Sequence, residues 1–187
     1  MTNWYTADTH FGHENVISFC NRPFDNSAQM DKCIIENLVA HVGPEDDLWI
    51  LGDFAFGPKA KERSYLSEVF EQLPGVRKHL IVGNHDQAPT LALPWDSTSH
   101  IAEVRDGPKN QAHTLCHYPM ITWNHARREA MQLFGHVHTN WRGSRNSVNV
   151  GVDVWDFAPV RFDEIACRAR SLPVNKHWAD VERNIGD

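Results

Sequence analysis

Three short apolar stretches in the first half of the chain each run into a polar residue able to bind a metal. "WYTA" leads into Asp8, "DLWIL" (47–51) into Gly52-Asp53, and "HLIV" (79–82) into Gly83-Asn84-His85-Asp86. Each has the length and residue types of a buried strand. Helical periodicity lies between them. Met30, Ile34, Leu38 and Val42 fall four apart in a stretch that begins near Ser27 and is stopped by Gly43-Pro44. Leu66, Val69, Phe70 and Leu73 mark one face of a second helix over 59–73, ended by Pro74-Gly75. Strands alternating with helices build an α/β sheet, and loops at the carboxyl ends of neighbouring strands converge. The pattern therefore predicts one sheet edge at which Asp8, Asp53 and Asn84 meet.

The second half reads as richer in strands. "HIAEV" and "AHTLC" flank an Asp106-Gly107 turn and predict a hairpin. "QLFGHVH" and "SVNVGVDV" read as further strands, and "RFDEIACRARSL" as a terminal helix ended by Pro173. No repeat or linker interrupts the chain, and 187 residues suit one domain spanning 1–187 with a single sizeable core. No apolar run approaches the roughly 20 residues a membrane helix needs, and the first residues lack the basic flank and apolar core expected of a signal peptide. Cys20, Cys33, Cys116 and Cys167 form no CxxC pair, which reads as reduced thiols in a cytoplasmic protein. The net charge of −6 argues against broad electrostatic binding to nucleic acid or anionic membrane. Twelve histidines are the unusual feature, since imidazole is costly to bury unpartnered and is the commonest metal ligand.

Five motifs carry chemistry: Asp8-Thr9-His10, Gly52-Asp53, Gly83-Asn84-His85-Asp86, His117 in "LCHYP", and Gly135-His136-Val137-His138. Singly each is weak; a strand through 136–138 would at least point both histidines the same way. Together they offer carboxylate, amide and imidazole donors without a thiolate. That mix favours manganese, iron, zinc, cobalt or nickel over a sulfur-rich structural zinc site. The donors are too many for one ion and suit two ions sharing a carboxylate, an arrangement used in phosphoester hydrolysis.

In this order the motifs resemble the calcineurin-like metallophosphoesterase superfamily, over residues 4 to about 154. The opening "DTHFGHENVISFCNRPF" is similar to that of its small stand-alone bacterial and phage members. The resemblance implies a four-layer α/β/β/α sandwich with mixed sheets and two divalent transition-metal ions at one edge. Manganese is the first choice, with iron, zinc, nickel or cobalt as alternatives. It implies that Asp8, His10, Asp53 and His138 hold the first ion, and that Asp53, Asn84, His117 and His136 hold the second. His85 would be the catalytic histidine, with Asp86 orienting it. The branch that dephosphorylates folded proteins carries a further aspartate and arginine in its second motif and a glutamate after its third-motif histidine. "GDFAFG" and "GNHD" lack them. Two divalent ions outweigh Asp8 and Asp53, so the site attracts phosphate although the chain is acidic. The implied mechanism is in-line attack by a metal-bridging hydroxide, its parent water acidified from about 15.7 toward 7.

Other residues near these motifs have two readings each. His13 either meets the substrate or is a loop histidine bonded to backbone. Glu14 starts a helix, where a carboxylate suits the positive end of the dipole. Arg22 either binds phosphate or covers Phe24. Tyr118 and Trp123 either line a base-sized pocket or belong to the core. "WRGSRN" (141–146) either grips a polynucleotide or faces solvent, and Asp153 is a candidate support behind the site. His41, His79, His100, His113, His125 and His177 match no motif. The function expected is hydrolysis of small phosphodiesters of the nucleotide or cyclic nucleotide type, without a membrane partner. Phosphomonoester hydrolysis by the same site is the first alternative. A nuclease, which would need a basic groove, is the second. A non-catalytic metal-binding interaction module is the rival from another class, and it would have lost ligands or His85.

Overall fold

The computed structural model describes residues 1–182. The first sheet contains β1 (Asn3–Thr6), β2 (Asp47–Ile50), β3 (Arg77–Ile81), β4 (Ser97–Ser99) and β10 (Val160–Arg161). The second contains β5 (Ile101–Asp106), β6 (Gln111–Cys116), β7 (Gln132–Phe134), β8 (Gly143–Ser144) and β9 (Ser147–Asn149). Their spatial orders are β10-β1-β2-β3-β4 and β5-β6-β7-β9-β8. Both are mixed: β1 to β4 run parallel with β10 antiparallel, and β6, β7 and β9 run parallel with β5 and β8 antiparallel. The helices are α1 (Glu14–Phe19), α2 (Ser27–His41), α3 (Arg63–Glu71), α4 (Ala88–Leu91), α5 (Phe162–Ser171) and α6 (Lys176–Val181).

Strand alternation divides the interior in two. Trp4, Leu48, Ile50 and Leu80 face one way and pack on Met30 and Ile34 of α2 and Leu66 and Val69 of α3. Tyr5, Leu51 and Ile81 face the other way and meet Leu115, Leu133 and Val148 of the second sheet, with Ile165 and Ala169 of α5 closing this core. On the outer face of the second sheet, Gln132 bonds the 118–120 segment, and Trp123, Ala126 and Ala130 gather Met120 and Trp178 of α6. The result is the four-layer α/β/β/α stack, its last layer thin.

Local signals explain several boundaries. The Asn26 side chain accepts from Gln29 N–H at the start of α2, a cap worth about 1 kcal/mol. Glu14 starts α1, but its carboxylate accepts from Ser27 N–H and so tethers the start of α2. Residues 59–61 form a 3-10 turn, so α3 begins at Arg63 rather than at 59. "QLFGHVH" and "SVNVGVDV" are strands only over 132–134 and 147–149. The first stops where His136 turns to φ 70° and gives its N–H to the Asp8 carboxylate, and the second runs into the 3-10 turn Val152–Val154. A Cβ on Gly135 or Gly151 would lie 2.7 Å from Asp8 Oδ2, so the Asp8 carboxylate fills the space that side chains would need.

Candidate metal centre

The parallel order β1-β2-β3 brings the loops after these strands to one edge, where β6 and β7 of the second sheet deliver theirs. These loops are bonded to one another. Asp8 N–H donates to Gly52 C=O (3.0 Å), and His10 N–H to Asp53 C=O (3.0 Å). His85 N–H donates to Asp53 Oδ1 (2.8 Å), and His136 N–H reaches both oxygens of Asp8 (2.9 Å). The lacing holds backbone that would otherwise relax. Asp8, His10, Asp53, His136 and His138 have φ of 57°, 51°, 55°, 70° and 48°, a region costing roughly 1–2 kcal/mol for a residue with a Cβ. Five of the eleven non-glycine residues with positive φ among the described residues are candidate ligands, and strained backbone gathered at one such cluster supports a functional reading of it. It also corrects the expectation for the His136/His138 pair: the strand ends before them, and they turn to different donor groups.

Asp8, His10 and His138 bring one donor atom each within 4.8 Å of one another, and so do Asp53, His117 and His136. The groups meet at Asp53, whose Oδ2 is 3.6 Å from His10 Nε2 and 3.4 Å from His117 Nε2. Asn84 joins the second group, its Oδ1 3.2 Å from His117 Nε2. The donors fit a cation. His117 Nδ1 donates to Leu51 C=O (2.8 Å), leaving Nε2 with a lone pair that faces two oxygen acceptors. His10 is 2% exposed with neither ring nitrogen hydrogen-bonded among the described residues. Buried acceptors aimed at one point require a positive charge between them. These residue groups are therefore able to hold divalent metal.

Protons fill that need in the metal-free chain. Burial pushes the Asp8 carboxyl up to about 6, against the pull of His138 and His117. Burial also works to raise Asp53, but His117 and His10 hold it down at about 2. Burial works to lower His138, yet its hydrogen bond to Asp153 lifts it to about 10. Burial keeps His10 neutral by lowering it well below the usual range. Metal must displace these protons. Because Asp8 holds its proton below about 6, apparent affinity for Mn(II) should fall from pH 6 to pH 5. The slope should approach, without exceeding, about tenfold per pH unit for each proton displaced. Calorimetry in two buffers of different ionisation heat would measure the protons released; a count of zero would contradict this account.

The other candidates fall as follows. Asp153 accepts from His138 Nδ1 at 2.7 Å, a carboxylate orienting an imidazole as it does behind many metal ligands. Arg22 does not cap Phe24 at the surface. Its side chain is buried, bonding Asp153 through Nε and Nη2 and the carbonyls of Asp8 and Thr9. Asp86 does not orient His85: its oxygens accept from the N–H groups of Gly83, Asp53 and Phe54, so it fixes the Asp53 loop. His85 borders the site with Nε2 4.0 Å from Asp53 Oδ2. His13 stands beside His10, ring centres 5.3 Å apart, and its buried Nδ1 has no hydrogen-bond partner among the described residues. Tyr118 packs edge-on to His117 and His136, whereas Trp123 is core, donating to Ala130 C=O. In 141–146, Trp141 stacks on Phe134, and Arg142 and Arg145 are exposed. His79 stacks on Trp49, His113 on Phe162, and His41 Nδ1 bonds Asn37 C=O. The four cysteines are free. Of the C-terminal segment 177–187, residues 183–187 lie outside the described residues.

An open cavity of about 480 Å³ adjoins the first donor group, lined by His10, His13, Phe19, Phe56, His85 and His138. Phe56 and Cys20 also line it and carried no signal in the sequence; Cys20 groups with His138 and Asp153. Gly52 has φ +86°, and a Cβ there would lie 2.3 Å from His117 Nδ1. Gly52→Ala should therefore displace His117, costing roughly 2–4 kcal/mol and the second donor group. A melting temperature and Mn(II) affinity matching wild type would refute this.

An α/β protein with two Asp/His donor groups joined at one aspartate is the class that this geometry defines. The chain is 31% identical to the uncharacterized protein MJ1445 of Methanocaldococcus jannaschii over 166 aligned positions, 85% of this chain and 86% of that one. It is 32% identical to the Gene 66 protein of Mycobacterium phage D29 over 195 aligned positions, covering 88% and 94% of the two. The chain belongs to one family with these proteins. Among solved structures it is similar to the protein of unknown function AQ665 from Aquifex aeolicus, with TM-score 0.70, 28% identity and coverage of 89% and 98%. No family model matches the chain. Among the described residues, no helix is long and apolar enough to cross a membrane.

Proposed function

We propose that the chain is a phosphoesterase of the calcineurin-like superfamily, using two divalent metal ions to hydrolyse small phosphodiesters of the nucleotide type. The observation carrying this reading is the meeting of two oxygen-and-imidazole donor groups at Asp53, with His85 alongside. Asp8, His10, His138 and Asp53 would hold one ion, and Asp53, Asn84, His117 and His136 the other; manganese suits the donors. Such ions, when bound, neutralise phosphoryl oxygens and activate a water near neutral pH.

The chain's own residues do the rest. Hydrolysis forms one P–O bond to the oxygen of water and breaks one to the leaving oxygen, which departs with a proton. His85 is placed to supply that proton or to donate to a phosphoryl oxygen. Its backbone N–H is anchored on Asp53 Oδ1 (2.8 Å), while its side chain reaches the cavity that Phe56 walls. Asp153 and Leu51 C=O fix His138 and His117 through Nδ1. Asp86 keeps the Asp53 loop against the His85 loop.

The test supplies Mn(II) to metal-stripped protein and compares a bis-aryl with a mono-aryl phosphate. Wild type should prefer the diester, and His117→Ala should abolish turnover. His85→Ala should keep its metal while turnover falls about 10²–10⁴-fold. Preference for the monoester would make the chain a phosphomonoesterase. Two bound ions with no turnover under Mn(II), Ni(II), Co(II) or Zn(II) would sink the enzymatic reading.

A further inference from the structure

Phe19 ends α1 with 75% of its surface exposed, and Tyr118, two residues past β6, is 44% exposed. A lone exposed aromatic is unremarkable on most surfaces. These two stand against the two donor groups. Phe19 lines the cavity shared with His10 and His138. Its ring lies 6.4 Å from that of His13 at 74°, and His13 lies 4.9 Å from Phe56 at 78°, making one aromatic wall. Tyr118 belongs to the other group, its ring 5.0 Å from His117 and 4.8 Å from His136. The donor groups meet at Asp53, and each group has one exposed aromatic beside it.

A phosphodiester leaves its phosphorus by two ester arms. In a cyclic nucleotide both ester oxygens belong to one sugar bearing one base; in a linear diester each arm can carry its own planar group. We propose that Phe19 and Tyr118 are stacking platforms, one for each arm, and that the preferred substrate is a short linear diester with a planar group on both arms, such as a dinucleoside monophosphate. The inference rests on the proposed phosphodiesterase reading. Stacking also fits the charge: a chain of net charge −6 has little with which to grip a long polyanion, whereas base stacking needs no basic groove.

The experiment uses full-length, Mn(II)-loaded protein with Phe19→Ala, Tyr118→Ala and the rescue variant Phe19→Trp. Substrates are a dinucleoside monophosphate, a nucleoside methyl phosphate and a 3′,5′-cyclic nucleotide. Each alanine variant should raise KM for the dinucleoside about tenfold with kcat within about threefold, and Phe19→Trp should restore it. For the nucleoside methyl phosphate only one of the two variants should matter. Dinucleoside KM values within twofold of wild type in both variants, or a wild-type preference for the cyclic nucleotide, would overturn the inference. Calorimetry of dinucleoside binding to His85→Ala protein, with and without each substitution, separates this from the parent reading. Binding weakened by both substitutions, with wild type inert, keeps the platforms and sinks the enzyme. Turnover with unaffected binding does the reverse.

Discussion

Asp53→Asn should abolish paired metal binding and reduce diester hydrolysis by about 10³-fold or more. Asparagine keeps the shape of aspartate and is able to accept from His85 N–H, now made to Oδ1 at 2.8 Å. It cannot keep the charge. Oδ2 is directed at three imidazoles, 3.4 Å from His117, 3.6 Å from His10 and 4.0 Å from His85, at a position only 1% exposed. Among the seven candidate ligands, Asp53 is the carboxylate with one oxygen within 4.0 Å of imidazole nitrogens from both donor groups. A neutral amide there leaves Asp8 as the one carboxylate for both groups. Metal content by mass spectrometry should drop from about two ions per chain to one or none, in step with activity. Two retained ions would mean that Asp53 does not join the groups, and near-wild-type hydrolysis would remove the reading built on it.

The sheet edge was legible because its signals are local. An apolar strand followed by aspartate or asparagine can be read without knowing the partner strands, and the parallel order of β1, β2 and β3 then brings Asp8, Asp53 and Asn84 together. The long amphipathic helices were legible for the same reason: α2 starts at Ser27, as its period predicts. What failed depended on distant groups. "QLFGHVH" has strand composition, but the Asp8 carboxylate, which arrives from the other sheet, takes the His136 N–H and the chain turns to positive φ at His136 and His138. Asp86 looks like an imidazole partner by adjacency, yet three backbone N–H groups claim its oxygens. The short β4, β8 and β10 and the helices α4 and α6 carry too few residues for a period to show. Phe19 reads as an ordinary apolar helix residue, and only its exposure beside the cavity marks it out.

Arg22 gives the largest expected loss of stability. Sequence left it as a phosphate ligand or a surface cover; the structure gives it a bidentate pair with Asp153, at 2.7 and 2.8 Å, and bonds to the carbonyls of Asp8 (2.7 Å) and Thr9 (3.2 Å). Burial works to raise Asp153, but His138 and Arg22 hold it down at about 2. Arg22→Met therefore leaves the buried Asp153 with His138 as its remaining charged partner and strands two carbonyls, which costs roughly 3–5 kcal/mol. For a chain of this size that lowers Tm by about 10 °C, given some 2–4 °C per kcal/mol. A phosphate-binding arginine would behave differently: KM would rise and Tm would stay. Removing both charges distinguishes the pair's two duties. Arg22→Met with Asp153→Leu should regain part of the lost stability, because no unpaired charge remains buried. It should not regain metal affinity. His138 Nδ1 would have lost the acceptor that aims the ring, and losing such a partner weakens metal binding about 10–100-fold. A double variant that melts near wild type yet binds Mn(II) poorly would show that the buried pair positions the ligand. If Mn(II) affinity returned together with stability, the pair would be a support for the fold alone.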